Sequence, residues 1–261
     1  MVLVGCSPIA RTQVPTPPEL SIEEHALTQR PEAESAQLYF AEGTQESILA
    51  KHADERAQII TFMDRSCNVG NHFGQCTSLG TDRLVAWEEY SSGLFHTGKV
   101  ILRRNDKQIY QIPVGDSSPI STLRGLWTYD GHWALETAHV VTHLTGNMID
   151  SQATGQISID GKLLNKQSGY QEAFGFQTLH GKPFFFFKRQ GEIGMVYNNV
   201  EIPPGYSEVL HYGCCSASML NPRVSQNMVA FFARTPALAG GAREGSTWYY
   251  VEIGVFNRIV P

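Results

Sequence analysis

From Ile59 onward, short apolar runs recur along the chain at nearly regular intervals. Four of them begin near positions 84, 133, 184 and 229, so the spacings are 49, 51 and 45 residues. These runs occupy 83–87, 131–136, 181–187 and 227–232. Runs of about four to eight apolar residues between turn-forming residues predict β-strands.

Each apolar run is followed, after a turn, by a second run with strand character, at 107–110, 156–159, 193–197 and 248–252. The turns that separate strands are Asp130-Gly131, Asp160-Gly161, His180-Gly181 and Asn198-Asn199, which are typical of tight hairpins. A period of about 40–50 residues with several strands in each unit is typical of propeller blades. We therefore expect an all-β fold, a propeller-like array of about four to five small antiparallel sheets, over residues 59–261. A run at 59–63 could supply a further strand, and the alternative is a β-sandwich-like all-β domain.

The part of the chain before Ile59 has a different pattern. Residues 1–20 are rich in Pro and Thr without periodicity, which predicts a flexible tether. Residues 21–58 contain many Glu and Ala, which favour helix, but Pro31 and Gly43 interrupt them. We expect a short helical or irregular segment there.

Two resemblances follow from these patterns. Leu3-Val4-Gly5-Cys6 resembles the lipobox of bacterial lipoproteins, which implies a lipid on Cys6 and a place in the cell envelope, on the extracytoplasmic side. Only five residues precede Cys6, so an export signal with an apolar stretch of about 7–15 residues would lie upstream. The repeats over 59–256 resemble the degenerate propeller repeats of TolB-like periplasmic proteins, in which an Asp-Gly turn precedes an aliphatic strand.

Composition limits the possible partners. The net charge of −5 gives no electrostatic reason to expect nucleic acid or an anionic membrane surface. No run of 18 apolar residues exists, so membrane contact is expected only through the lipid. We expect an unidentified protein or glycan as the partner, and no cofactor.

Four cysteines remain besides Cys6. Cys67 and Cys76 flank a short Gly-containing segment, and a disulfide between them is the simplest pairing in an exported chain. Cys214 and Cys215 are adjacent and could form a strained vicinal disulfide or leave a buried thiol. Together with His72 and His211 these cysteines also have the chemistry of zinc ligands, but the spacing of a zinc ribbon is missing and we expect no metal.

Carboxylates recur next to aromatic residues in the expected strands. The weak catalytic candidates are Glu88, Glu136, Glu208 and Glu252, because blades gathered around an axis could bring two of them together as in a glycoside hydrolase. Aromatic and imidazole rings could contact a ligand, and the binding candidates are Trp133, Tyr206, His211 and Tyr212. No nucleotide-binding loop, nucleophile elbow or His-Glu-x-x-His motif is present.

The sequence therefore favours an extracytoplasmic, lipid-anchored binding or scaffold protein of unknown ligand rather than an enzyme. One alternative is a glycoside hydrolase-like enzyme that uses paired glutamates. The other is an intracellular thiol or metal protein, which requires the lipobox match to be accidental.

Overall fold

A computed structural model describes most of the chain. The described residues are 17–40, 52–61, 63–92, 97–117, 121–145, 148–236 and 246–256. The expected tether and lipid site at Cys6 lie outside them. None of the helices in these segments is long and apolar enough to cross a membrane.

Strands dominate the described residues, which confirms the expected all-β class. In chain order they are β1 (Ser21–Leu27), β2 (Ser66–Val69), β3 (His72–Leu79), β4 (Asp82–Tyr90), β5 (Thr97–Arg104), β6 (Lys107–Asp116), β7 (Leu123–Tyr129), β8 (His132–Thr145), β9 (Met148–Ile159), β10 (Lys162–Leu163), β11 (Glu172–Leu179), β12 (Lys182–Arg189), β13 (Glu192–Tyr197), β14 (Val200–Tyr206), β15 (Glu208–Val209), β16 (Arg223–Val224), β17 (Met228–Arg234) and β18 (Trp248–Gly254). The helices are α1 (Ala33–Phe40), α2 (Ala53–Arg56) and α3 (Leu164–Ser168), with short 3-10 helices at Met63–Arg65 and Cys215–Leu220.

Hydrogen bonds join these strands into three sheets rather than the expected four to five. One has the order β1-β18-β17-β15 with β16 also on β17, and another is β11-β12-β13-β14. The third has nine strands in the order β10-β9-β8-β6-β5-β4-β3-β2, with β7 also on β8. This large sheet is two groups of strands, because β6 and β8 are joined by one parallel residue pair, Gly115 with Val140.

Gly115 explains why the two groups merge at that point. Its φ is +77°, and a Cβ atom there would collide with the carbonyl oxygen of Val140. Only glycine allows the two backbones to approach so closely. The chain thus folds as four successive strand groups: β2–β6, β7–β10, β11–β14, and β15–β18 completed by β1.

The four tight hairpin turns predicted from the sequence are present and separate neighbouring strands. Asp130-Gly131, Asp160-Gly161, His180-Gly181 and Asn198-Asn199 all have positive φ at both central residues. This is the type I′ geometry, whose twist matches that of antiparallel strands. The strand runs near 84, 133, 184 and 229 lie in β4, β8, β12 and β17, so these predictions are confirmed.

Segment 21–58 was expected to be helical or irregular. Its described residues include the helices α1 and α2, but its first part is β1, which pairs with β18 from Ser21 opposite Gly254 to Leu27 opposite Trp248. The open edge of β18 supplies backbone partners, and this tertiary pairing overrides the helical preference of Glu and Ala. The run at 59–63 is not a regular strand: Ile60 makes an isolated bridge to Val224, and a 3-10 helix begins at Met63.

The β11–β14 sheet is buried on both faces. Along β12, Phe184 and Phe186 pack with Phe231 and its neighbours, whereas Phe185 and Phe187 pack on the opposite side with the cluster that contains Trp127. A strand with apolar side chains on both faces must lie between two layers. Neighbouring strand groups therefore share their hydrophobic cores.

A buried ionic cluster ties α2 to β18. Glu252 is 1% exposed and accepts hydrogen bonds from the Tyr250 hydroxyl and the Arg56 guanidinium, while His52 Nδ1 lies 2.6 Å from its Oε2. Burial raises the pKa of Glu252, but the hydrogen bonds of His52 and Tyr250 and the charge of Arg56 outweigh it, so the pKa lies below the ordinary 4.5. The cluster therefore stabilises the fold only while Glu252 is ionised.

We expect Glu252→Gln to lower the free energy of unfolding by about 3 kcal/mol at pH 7, because Arg56 loses its buried partner. Since the folded-state pKa is depressed, the wild-type advantage is complete above the unfolded pKa near 4.5 and is lost as pH falls through the folded value. Urea unfolding at pH 7, 5 and 3.5 measures this, with exposed Glu192→Gln as the control. A difference between wild type and variant that stays constant with pH would contradict the assignment.

Candidate functional site

A cavity of ≈ 340 Å³ lies where the four strand groups meet. Its wall includes Gln75 of β3, Arg124 of β7, Gln177 of β11 and, after β15, the consecutive His211 and Tyr212. Each of the four strand groups thus contributes at least one residue to one concave surface. Cavities of this size at the junction of several elements are the usual form of small-ligand sites.

Glu136 is the buried carboxylate of this wall and is 3% exposed. Its Oε1 accepts hydrogen bonds from the Gly175 amide at 2.9 Å and from the Tyr212 hydroxyl at 2.6 Å. Its Oε2 accepts one from the Phe176 amide at 2.7 Å. A β-bulge between Phe174 and Gln177 removes these two amides from the β11–β12 ladder and makes them available to Glu136.

Tyr212 links Glu136 to the cavity surface. Its backbone has φ +54°, and its ring is buried. Burial, followed by the charge of Glu136, raises the pKa of the Tyr212 phenol well above its ordinary value, although Arg124 opposes this. The phenol therefore remains a hydrogen-bond donor to Glu136. The guanidinium of Arg124 lies over the ring, 4.7 Å from its centre.

His211 is held on the same wall by stacking and by two oxygen atoms. Its ring lies 3.7 Å from that of Phe174, nearly parallel at 10°. Nδ1 is 2.7 Å from the Val209 carbonyl oxygen, and Nε2 is 3.1 Å from Glu172 Oε1. Both contacts are hydrogen bonds when the ring carries both protons.

Glu172 stays ionised in this arrangement. Burial raises its pKa, but the hydrogen bond and charge of His211 and the Gly155 amide lower it by more, so the net shift is downward. The Glu172 carboxylate is therefore already engaged beside the cavity, by His211 Nε2 at 3.1 Å and by the Gly155 amide at 2.9 Å.

Two arginines of the wall are held by aromatic rings. The Arg65 guanidinium lies 5.2 Å from the ring centre of Trp127 and donates to Gln177 Oε1 at 3.3 Å. Arg124 donates to the Ser121 carbonyl at 3.3 Å. Within the described part of the chain, no ion pair joins either guanidinium to a carboxylate.

The sequence-derived binding candidates separate into two pairs. His211 and Tyr212 line the cavity. Trp133 instead faces the core of the first strand groups, with its ring 5.5 Å from that of Tyr110. Tyr206 is buried, and its hydroxyl donates to Glu24 Oε1 at 2.7 Å. Trp133 and Tyr206 therefore stabilise the fold in this structure.

The four candidate glutamates do not converge. Glu136 lines the cavity, whereas Glu252 belongs to the α2 cluster. Glu88 accepts hydrogen bonds from Ser121 Oγ at 2.5 Å and from the Leu123 amide at 2.6 Å. Glu208 pairs with Arg234 at 3.0 Å on the surface. No second glutamate or aspartate is among the described residues of the cavity wall.

The predicted disulfide between Cys67 and Cys76 is confirmed and joins β2 to β3, with 5.9 Å between the two Cα atoms. Cys214 and Cys215 are free thiols at the start of a 3-10 helix. The residues with zinc-ligand chemistry are therefore not gathered in one place. Among the described residues, no group of three or more His, Cys, Asp and Glu side chains is placed to hold a metal ion.

Sequence reasoning missed Arg65, Arg124 and Glu172, which carry much of the charge at this site. One pattern could have pointed to the wall: Gly125 stands two residues before Trp127 on the same face of β7. A Cβ atom at position 125 would collide with the indole ring. A glycine inside a strand often marks such a close approach.

Comparisons with family models, with curated proteins and with solved structures find no match to this chain.

We expect Glu136→Gln to lower the free energy of unfolding by roughly 1–3 kcal/mol, because the amide nitrogen cannot accept from one of the three buried donors. Glu208→Gln is the matched control, since its surface ion pair contributes about 1 kcal/mol or less. Urea unfolding at pH 7 compares the two variants with wild type. If Glu136→Gln and Glu208→Gln lower the free energy of unfolding by the same amount, a central structural role for Glu136 is contradicted.

Proposed function

We propose that this chain is an extracytoplasmic, lipid-anchored binding protein that holds a small ligand in the cavity between its four strand groups. The observation that carries the proposal is the cavity wall itself, where side chains from every strand group meet around the buried Glu136. Binding sites commonly consist of a few polar groups that a rigid scaffold brings together in one cavity.

Binding fits the cavity better than glycoside hydrolysis. Both oxygen atoms of Glu136 are engaged by the Gly175 and Phe176 amides and by Tyr212. Hydrolysis of a glycosidic bond requires two carboxyl groups, one of them free to exchange a proton. Glu136 instead has a positioning role, because it fixes the segment that carries His211 and Tyr212.

We also infer that the four strand groups are arranged around a common axis, as in a propeller. Each strand group contributes residues to the same cavity, as blades do around an axis. Strand β1 completes the last group by pairing with β18, so the beginning of the described chain joins the final unit. The four groups correspond to the four repeats in the sequence.

The binding role can be tested by blocking the cavity. Ser218 is an exposed residue of the 3-10 helix and lines the cavity, whereas Ser216 is exposed on the same helix and is not part of the wall. We expect Ser218→Trp to obstruct the cavity and Ser216→Trp to leave it open. The measurement is the unfolding temperature of each protein with a panel of several hundred small metabolites, each at about 1 mM. A compound that binds raises this temperature.

Compounds that stabilise wild type and Ser216→Trp but not Ser218→Trp would support the proposal. The proposal fails if no compound stabilises wild type, or if the stabilised set is the same for Ser218→Trp.

Lipid anchoring has its own test. We expect metabolic labelling with a radioactive fatty acid to mark the protein expressed from its own gene in bacteria, and Cys6→Ala to remove the label. Cys215→Ala is the control, because Cys215 is also an exposed thiol. The Cys67–Cys76 disulfide supports an oxidising compartment. An unlabelled wild type, or label that persists in Cys6→Ala, would refute the anchor.

A further inference from the structure

The cavity wall is basic in a protein that is acidic overall. The whole chain carries 25 Asp and Glu against 20 Lys and Arg. Among the described residues of the wall, Arg65, Arg124 and Arg223 face a single carboxylate, Glu136. This local reversal of charge places positive potential where a ligand would enter.

The carboxylates near the wall are already used by other partners. Glu136 is held by two backbone amides and the Tyr212 hydroxyl, and Glu172 by His211 and the Gly155 amide. The described part of the chain therefore offers Arg65 and Arg124 no carboxylate partner. Both guanidinium groups instead contact neutral groups: aromatic faces, an amide oxygen and a backbone carbonyl.

Arg65 loses hydration on the wall, and no carboxylate among the described residues forms an ion pair with it. Burial lowers the pKa of Arg65, and the charge of Asp64 only partly opposes it. Burial also lowers the pKa of Arg223. An anion between these side chains would offset the lost hydration, because the interaction of opposite charges strengthens as water is removed.

We propose that the cavity binds a small organic anion whose carboxylate or phosphate oxygen atoms lie against the guanidinium groups of Arg65 and Arg124. This inference rests on the proposed binding function and names the chemical class of the ligand. Planar guanidinium groups match both kinds of oxyanion by paired hydrogen bonds. The remainder of the ligand lies against the apolar part of the wall, formed by Ile60, Met63 and Val224.

The cavity holds the two arginines in place before the anion arrives. Tyr212 donates to Glu136, which makes its ring richer in electrons and strengthens its attraction for Arg124. The Arg65 guanidinium lies over the Trp127 ring in a second cation–π contact, 5.2 Å from the ring centre. A site whose charged groups are already oriented loses less side-chain entropy when it binds.

Isothermal titration calorimetry at constant ionic strength tests the proposal with matched probes. In the first set, the anions D-glucuronate and glucose 6-phosphate are compared with neutral D-glucose. In the second set, hexanoate and hexyl phosphate are compared with neutral hexanol. Inorganic phosphate is titrated as well. The two anionic members of each set separate carboxylate from phosphate recognition. The variants are Arg65→Gln, Arg124→Gln and Arg124→Lys.

Arg103→Gln is the matched control, because Arg103 also lies over a tryptophan, 5.0 Å from the Trp87 ring centre, but is exposed and lies away from the cavity wall. Thermal unfolding of every variant verifies the fold. We expect at least one anion to bind wild type about tenfold or more tightly than its neutral counterpart. Arg65→Gln and Arg124→Gln should each weaken that binding about tenfold, Arg124→Lys by less, and Arg103→Gln by less than about twofold.

The inference is overturned if neutral probes bind as tightly as the anions, if no anion binds wild type, or if folded Arg65→Gln and Arg124→Gln bind anions as wild type does. The cavity-blocking variants separate this failure from that of the binding function. Neutral compounds that bind wild type but not Ser218→Trp would retain the cavity as a ligand site and reject only its preference for anions.

Discussion

The carboxylate of Glu136 is the constraint on which the centre of the molecule depends. It lies on β8, accepts hydrogen bonds from two amides of β11, and receives the hydroxyl of Tyr212 from the segment after β15. A buried charge with three donors is stable only when all three are present, since each lost partner leaves an uncompensated polar group. The second, third and fourth strand groups are thereby held together at one point. The positions of the cavity-wall residues therefore depend on Glu136.

Hydrophobic packing extends that constraint through the rest of the fold. Because Phe184 and Phe186 face one core and Phe185 and Phe187 the other, the β11–β14 sheet cannot be stable without neighbours on both sides. A bulge in the same sheet frees the amides that bind Glu136. The packing of aromatic side chains and the polar network are therefore properties of one sheet, and a substitution that disturbs the register of β11 against β12 affects both.

The sequence was sufficient to predict local features such as strands and turns, but not how the strands pair into sheets or which residues meet at the cavity. Apolar runs and dipeptides such as Asp130-Gly131 carry their own conformational preference, so the main strands and hairpins were predicted correctly, as was the short-range pairing of Cys67 with Cys76. Strand β1 was missed because its Glu and Ala prefer helix until β18 offers an edge. Among the site residues, His211 and Tyr212 could be picked out because they lie in a stretch of the sequence that is rich in polar and aromatic residues. Arg65 and Arg124 could not be predicted as site residues, because only the folded arrangement of distant strands brings them to one wall.

The pairing of β1 with β18 also governs the order in which the molecule can fold. Ser21 lies opposite Gly254, 233 positions later in the chain, so this is among the most distant contacts by sequence. During synthesis β1 leaves the ribosome long before its partner exists, and its backbone hydrogen-bonding groups have no strand to meet in the meantime. Closing a loop of this length costs conformational entropy before any contact compensates for it. The last sheet is therefore assembled late, and β11–β14 gains its second packing layer only then, whereas the β2–β6 and β7–β10 groups can form while the chain is still growing.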